Sequence, residues 1–141
     1  MSLSRLTTAI AYGALALPEG KITVMRSAAD YDVSALPRAD LMIANGFYPD
    51  FAAWNNAGYV VTAKAEPAEV AIVVVPRSKA LARAMIAAAA SWAKLVIVDG
   101  QKTDGVESLF KDCRKRLGQL PSVPKGHGRI FWFAPAPVFD D

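Results

Sequence analysis

The chain has 141 residues, of which 53% are apolar and 21% are charged, a balance that is typical of a single globular domain and excludes an intrinsically disordered chain. It contains no apolar run long enough to span a membrane. The formal net charge is +3, and the single cysteine, Cys113, excludes an internal disulfide and argues against a thiolate metal cluster.

The first half of the chain alternates short apolar runs with helix-like segments. Residues 3–12 favour a helix, and GALAL at 13–17 is a candidate for a short extra strand. Three predicted strands follow: KITVM (21–25), DLMIAN (40–45) and YVVTA (59–63). Between the last two, YPDFAAWNNAGY predicts a short helix that begins at Pro49 or Asp50 and ends at Gly58, the usual glycine stop.

The second half continues the alternation. Its predicted strands are EVAIVVV (69–75), KLVIVDG (94–100) and GRIFWFA (128–134). PRSKALARAMIAAAASWA predicts a long helix, because Leu81, Met85, Ala89 and Trp92 repeat at helical spacing. TDGVESLFKDCRKRLG predicts another helix, capped by Thr103 or Asp104 and ended by Gly118. One face of that helix is apolar and the other is basic.

Strands that alternate with helices, two of them continuous Val/Ile runs, predict an α/β fold. We expect a Rossmann-like architecture with a mostly parallel sheet of about six strands and flanking helices. The predicted domain covers residues 1–134. The proline-rich and acidic residues 135–141 are predicted to form a linker that leaves the domain.

The chemistry of a nucleotide site is mostly absent from the sequence. A dinucleotide or S-adenosylmethionine site needs glycines after the first strand, whereas that strand runs into MRSAADYD. VIVDGQKTDG at 96–105 resembles part of a phosphate-binding loop, but Gln101 stands where the second glycine is required, so Gly100 is interpreted as allowing a strand-to-helix turn. Asp99 lies at a strand end with no partner that the sequence identifies, and His127 has no nucleophile beside it. No catalytic, cofactor-binding or metal-binding residue is predicted.

A basic bias in the second half indicates an anionic partner. Residues 1–70 carry five Lys or Arg and seven Asp or Glu, and residues 71–141 carry eleven and six. We predict that the RNA-facing or anion-facing residues are Lys102, Arg114, Lys115, Lys125, His127 and Arg129. A solvated loop histidine and a helix with an ordinary basic face are the alternatives for this set.

Several segments together carry a family resemblance: ALALPEG, GFYPDFAAWNNAGY, VVVPRSKALARAMIAAA, VDGQKTDGVESLFKDCRKRLG and KGHGRIFWFAPAPVFD. The chain from about Gly13 onward resembles the N-terminal domain of bacterial 16S rRNA guanine-N2 methyltransferases. The most specific part is Gly-x-Lys-Thr-Asp-Gly followed by Lys-x-His-Gly-Arg-x-Phe-Trp-Phe. In that family two methyltransferase-like domains lie in tandem, and the C-terminal one carries the glycine-rich cofactor loop and an Asn-Pro-Pro motif.

The resemblance implies a degenerate class I methyltransferase fold that recognises RNA and supports catalysis without performing it. It implies rRNA and the protein's own C-terminal catalytic domain as partners, with S-adenosylmethionine bound in that domain and no cofactor in this one. Because Asn-Pro-Pro is absent, no catalytic residue is carried over. A protein-interaction or homodimerisation module and a stand-alone small methyltransferase are the alternatives. A cytoplasmic location is expected, without membrane attachment.

Overall fold

The structure is a computed structural model, and it describes residues 4–135. The helices are α1 (Arg5–Ala11), α2 (Tyr48–Asn56), α3 (Lys79–Ala90) and α4 (Val106–Leu117). The strands are β1 (Ile22–Met25), β2 (Leu41–Ala44), β3 (Val60–Thr62), β4 (Val70–Val74), β5 (Leu95–Gln101), β6 (Ser122–Lys125) and β7 (Gly128–Phe133). Short 3-10 helices occupy Arg38–Asp40 and Lys102–Asp104. Within residues 4–135, every helix is too short or too polar to cross a membrane.

The seven strands form one sheet in the order β3-β2-β1-β4-β5-β7-β6. The first five strands in that order are parallel, with Met25 of β1 opposite Ala44 of β2 and Val73 of β4. β7 runs antiparallel to both β5 and β6. The predicted α/β fold with a mostly parallel sheet is therefore confirmed, with one strand more than the six that were predicted.

The sheet separates two hydrophobic cores because alternate residues of each strand point to opposite faces. One core packs α3 and α4 against side chains such as Val73, Val98 and Phe131. The other packs α1 and α2 against side chains such as Ile72 and Ile130. Strands buried on both faces explain the continuous Val/Ile runs in β4 and β5.

The helix ends follow the sequence signals except at α4. Ser4 and Ser78 cap α1 and α3, each accepting a hydrogen bond from a backbone N–H three residues later. The prediction that Thr103 or Asp104 caps α4 is wrong, because both lie in the preceding 3-10 helix. Gly105 is the N-cap residue, in a left-handed conformation (φ +87°) that glycine adopts without steric cost.

Two further expectations need correction. GALAL forms no strand, since residues 13–17 follow α1 as a turn and an irregular segment. Gly100 does not form a turn but lies within β5, where a Cβ atom would approach the side chain of Val75 to 2.7 Å. The glycine therefore serves close packing between β5 and β4. Residues 136–141 of the predicted linker lie outside the described residues.

Candidate nucleic-acid interface at the carboxyl edge of the sheet

Three of the six predicted anion-facing residues meet at one corner, where β5 ends beside the β6–β7 hairpin. Lys102 follows β5, and its backbone N–H donates to the carbonyl of His127 at 2.9 Å. Lys125 is the last residue of β6 and pairs with Gly128. Because β7 runs against β5, the hairpin turn lies at the carboxyl end of β5. The side chains of Lys102 and His127 are exposed, and that of Lys125 is half-buried.

His127 is a turn residue as well as a candidate ligand. Gly126 and His127 form a two-residue hairpin loop with φ of +59° and +57°. Positive φ at both positions is the requirement of a type I′ turn, whose twist matches that of the flanking strands. Among non-glycine residues, histidine is one of the few types enriched in this conformation. The backbone conformation of the turn is thus enough to explain a histidine at position 127, without any role in binding.

Arg129 is engaged within the protein. Its Nε donates to Glu107 Oε2 at 3.0 Å, and its Nη1 donates to Ser122 Oγ at 2.7 Å. The guanidinium also lies over the Phe110 ring, 4.7 Å from the centroid. These contacts fasten α4 to the hairpin and leave the Arg129 charge balanced by a carboxylate.

Arg114 and Lys115 lie apart from this corner. α4 runs back from the carboxyl edge, so these residues are about 12 Å farther along its axis than Val106. The Arg114 guanidinium lies over the Phe110 ring, 4.5 Å from its centroid. Lys115 lines a groove of about 520 Å³ between α3 and α4. The structure therefore does not bring the six predicted residues into one patch.

The groove between α3 and α4 has an apolar floor and a charged rim. Ile86, Leu109 and Cys113 line the floor, and Arg83 and Asp112 form an ion pair on the rim. Burial, with a smaller contribution from the Asp112 charge, raises the pKa of the Cys113 thiol to about 11. The thiol is therefore protonated at neutral pH and unsuited to nucleophilic chemistry.

A buried polar cluster lies beneath the corner, and the sequence did not indicate it. Asp99 is only 3% exposed, and its carboxylate accepts from Arg5 Nε at 2.5 Å and from the Tyr31 hydroxyl at 2.7 Å. Arg5 also donates to the carbonyl of Lys125 at 3.0 Å. Burial, and then the neighbouring Asp99 charge, raise the pKa of Tyr31 well above its usual value. Asp99 thus joins α1, the β1–β2 connection and the hairpin.

The loops after β1 and β2 are tied to each other where a nucleotide-binding loop would open. Asn45, buried at the end of β2, donates through Nδ2 to the carbonyl of Ser27 at 2.7 Å. Its Oδ1 accepts from the backbone N–H of Phe47 at 2.8 Å. Trp54 Nε1 donates to the same Ser27 carbonyl at 3.2 Å. Both ends of the Asn45 amide are consequently used inside the protein.

Three further cations lie along the same edge, and sequence reasoning missed them. Arg26, Lys64 and Arg77 are exposed, and they follow β1, β3 and β4 within one to three residues. A signal was available: carboxyl ends of parallel strands share one edge of a sheet, so basic residues just after such strands are neighbours. Together with Lys102, they place a cation after every parallel strand except β2.

No protein-family model matches the sequence, and a search of curated proteins gives no match. Among solved structures, the fold is similar to that of the T. thermophilus 16S rRNA N2 G1207 methyltransferase in complex with AdoMet and guanosine. The TM-score is 0.69 at 18% identity, over 86% of this chain and 37% of that chain. A putative methyltransferase from Pseudomonas syringae gives a TM-score of 0.66 at 11% identity, over 92% of this chain and 96% of that one. A Thermoplasma acidophilum protein gives 0.61 at 11% identity, over 92% and 85%.

These similarities show the fold: the chain adopts the Rossmann-like fold of class I methyltransferases. The chain spans little more than a third of the T. thermophilus protein, yet nearly the whole of the P. syringae chain.

Proposed function

We propose that this chain is a non-catalytic RNA-recognition and scaffolding domain of an S-adenosylmethionine-dependent rRNA guanine-N2 methyltransferase that acts in the cytoplasm. The observation that carries the proposal is that, in a methyltransferase fold, the Asn45 amide ties the loop after β1 to the loop after β2 by hydrogen bonds to Ser27 and Phe47. Class I methyltransferases bind their cofactor at the carboxyl ends of the first strands, through a glycine-rich loop. Here the loop after β1 lacks glycine, and its Ser27 carbonyl is held by Asn45 and Trp54.

The RNA part of the proposal is supported by the corner of Lys102, Lys125 and His127. Lys102 follows β5 and Lys125 ends β6, on either side of the start of β7, and phosphate contacts require only positive charge and reach. The Asp99 carboxylate beneath this corner accepts hydrogen bonds from Arg5 and Tyr31, so it is not free to act as a general acid or base. The corner is thus suited to binding an anion.

The scaffolding part of the proposal assigns the methyl transfer to a C-terminal catalytic domain of the same protein, which holds the S-adenosylmethionine. The similarity to a 16S rRNA methyltransferase of which this chain spans 37% supports that arrangement. The resemblance of Gly-x-Lys-Thr-Asp-Gly and Lys-x-His-Gly-Arg to the N-terminal domain of such enzymes supports it as well.

Two titrations of the purified 141-residue chain test the proposal. Calorimetric titration with S-adenosylmethionine should give no saturable heat, because the loop after β1 lacks glycine and its Ser27 carbonyl is held by Asn45 and Trp54. A labelled 16S rRNA fragment should bind with an affinity that falls with salt. Two lysine contacts predict that the log–log salt slope becomes shallower by about 1.4 in Lys102→Gln/Lys125→Gln.

Lys94→Gln is the matched control, since Lys94 is exposed at the opposite end of β5. Saturable cofactor binding in the micromolar range would instead favour a stand-alone methyltransferase. RNA binding that ignores salt, or that Lys102→Gln/Lys125→Gln leaves unchanged, would contradict RNA recognition at this corner.

The second candidate is a protein-interaction or homodimerisation module. It is favoured by Phe47 and Tyr48, which are 62% and 76% exposed at the start of α2. Phe51 is half-buried and Trp54 packs in the core, so neither adds to these exposed rings. Sedimentation separates the candidates: a dimer that persists in high salt and is lost in Tyr48→Ala favours the interaction module.

A further inference from the structure

We propose that the carboxyl edge of the sheet binds a single-stranded segment of RNA, well beyond the Lys102 corner. In this arrangement Arg26, Lys64 and Arg77 join Lys102 in contacting phosphates, and the aromatic pair Phe47 and Tyr48 stacks against bases. The inference rests on the proposed RNA-recognition function, and it names the surface and the form of RNA that the surface fits.

The sheet order arranges the cations in a row. Lys64 follows β3, Arg26 follows β1, Arg77 follows β4 and Lys102 follows β5, and these strands are successive in the sheet apart from β2. Neighbouring strands are about 4.8 Å apart, so the row extends over four spacings, or about 19 Å. A strand of RNA lying across the strand ends would meet one positive charge after another along its backbone.

The four side chains in the row are available to a ligand. Other basic residues are committed to carboxylates: Arg5 to Asp99, Arg83 to Asp112 and Arg129 to Glu107. In contrast, within residues 4–135, Arg26, Lys64, Arg77 and Lys102 make no side-chain hydrogen bond, ion pair or ring contact. Four exposed, unpaired cations on one edge can each contact a phosphate of a polyanion.

The one parallel strand without a cation supplies aromatic rings instead. β2 lies between β3 and β1, and its carboxyl end leads through Asn45 into Phe47 and Tyr48. The Asn45 amide fixes the Phe47 backbone, so the two exposed rings project from an anchored position. Aromatic rings flanked by cations are the combination with which proteins bind single strands, because bases stack and phosphates pair with charge.

The backbone of Arg26 is a second sign that this edge is used. Arg26 adopts φ +62°, a left-handed conformation that is sterically strained for a non-glycine residue. Glycine would relieve this strain, yet the position carries an exposed arginine. Strained residues of this kind cluster at functional sites, and this one presents its charge to solvent.

The exposed rings of Phe47 and Tyr48 favour single-stranded RNA over duplex RNA. Duplex RNA is bound mainly by shape and by its sugars and phosphates, whereas stacking on protein rings requires unstacked bases. The surface therefore fits a loop or an unpaired stretch of RNA.

The test uses fluorescence anisotropy with a labelled oligouridylate and a base-paired RNA hairpin of equal charge, each titrated over a series of salt concentrations. The loop of the hairpin is replaced by a non-nucleotide linker, so that it presents no unpaired base. The cation variants are Lys64→Gln, Arg26→Gly and Arg77→Gln, singly and together. Arg26→Gly is chosen because glycine accepts the positive φ, so the charge is removed without straining the fold. Each single variant should make the log–log salt slope shallower by about 0.7, and the triple variant by about 2.

Tyr48→Ala should weaken oligouridylate binding roughly 5- to 100-fold, with a much smaller effect on the hairpin. Tyr12→Ala is its matched control, because Tyr12 is 79% exposed but lies after α1, away from the row. Lys94→Gln is the control for the cations, about 25 Å from Lys102 along β5. Urea unfolding of every variant checks that the fold is kept.

The outcomes separate this inference from the proposed function. If the unmodified chain binds no RNA, the proposed function falls and the inference falls with it. The chain could also bind RNA with a salt dependence that only Lys102→Gln/Lys125→Gln reduces. That result would support RNA binding at the corner and overturn its extension along the row of cations. Equal binding of the hairpin and the oligouridylate, or loss of a protein dimer rather than of RNA affinity in Tyr48→Ala, overturns the assignment of the rings to bases.

Discussion

Among the described residues, two Arg–Asp ion pairs have similar geometry but different burial, so the effect of burial on their contribution to stability can be measured. Arg5 Nε lies 2.5 Å from Asp99 Oδ1, and Arg83 Nη2 lies 2.6 Å from Asp112 Oδ2. Their exposures differ widely, at 12% and 3% for the side chains of the first pair and 56% and 38% for the second. Because the chemistry and distance are nearly the same, a difference in energetic effect must come from the surroundings.

Substitution Arg5→Met removes the guanidinium while keeping an apolar stem against the core. The Asp99 carboxylate then remains buried, with the Tyr31 hydroxyl as its remaining side-chain donor, and the carbonyl of Lys125 loses a donor. Leaving one partner of a buried pair uncompensated lowers the free energy of unfolding by about 3–5 kcal/mol. Arg83→Met, in which the freed carboxylate meets water, should lower it by about 1 kcal/mol or less.

Urea unfolding followed by circular dichroism measures both variants against the unmodified chain. With a domain stability of about 5–15 kcal/mol, Arg5→Met should shift the midpoint strongly, and Arg83→Met should leave it nearly in place. In Arg5→Met/Asp99→Asn, the neutral amide can still accept from Tyr31, so part of the lost stability should return. Equal losses for Arg5→Met and Arg83→Met, or a double variant less stable than Arg5→Met, would refute the assignment of the loss to an unpaired buried charge.

Two further variants or reactions test the hairpin turn and the thiol. His127→Val should destabilise the fold by about 1–2 kcal/mol in urea unfolding, because a β-branched residue resists φ +57°, while His127→Asn should be neutral; equal stability of the two would contradict a left-handed residue 127. Cys113 should react with iodoacetamide at pH 8 about 100-fold more slowly than in the urea-unfolded chain, because raising its pKa from 9.0 to about 11 reduces the thiolate fraction by that factor. The reaction should accelerate about tenfold per pH unit up to about pH 11, and a rate that levels off near pH 9 would show that the thiol is not shifted.

The fold was largely predictable because its signals are local. Continuous apolar runs identified β4 and β5, and glycine stops identified the ends of α2 and α4. β6 was missed because Ser122–Lys125 is short, contains Pro124 and lies at the edge of the sheet, where proline is tolerated. The two-residue turn that creates the hairpin was present in the sequence as Gly126-His127, but Gly-His is not among the strong hairpin signals.

The candidate site was less predictable because it depends on which residues the topology brings together. Arg114 and Lys115 follow Lys102 closely in sequence, yet α4 carries them away from the edge. Arg5 and Asp99 are 94 positions apart, and no periodicity connects them. The row of cations could have been predicted from the sequence, because the carboxyl ends of parallel strands lie at one edge of a sheet and each cation follows a predicted strand.

Two glycines in the segments that resemble the rRNA methyltransferases, Gly100 and Gly128, have a packing explanation. Gly100 leaves room for Val75, and a Cβ atom on Gly128 would collide with the Gly100 carbonyl and the Arg5 guanidinium. The two glycines lie in adjacent positions of the β5–β7 ladder, where the buried cluster meets the hairpin. Any protein that builds this corner needs residues without side chains there, whatever it binds. The glycines of this motif are therefore explained by the architecture of the corner, and the proposed RNA recognition depends on side chains that packing does not require, such as Arg26 and Tyr48.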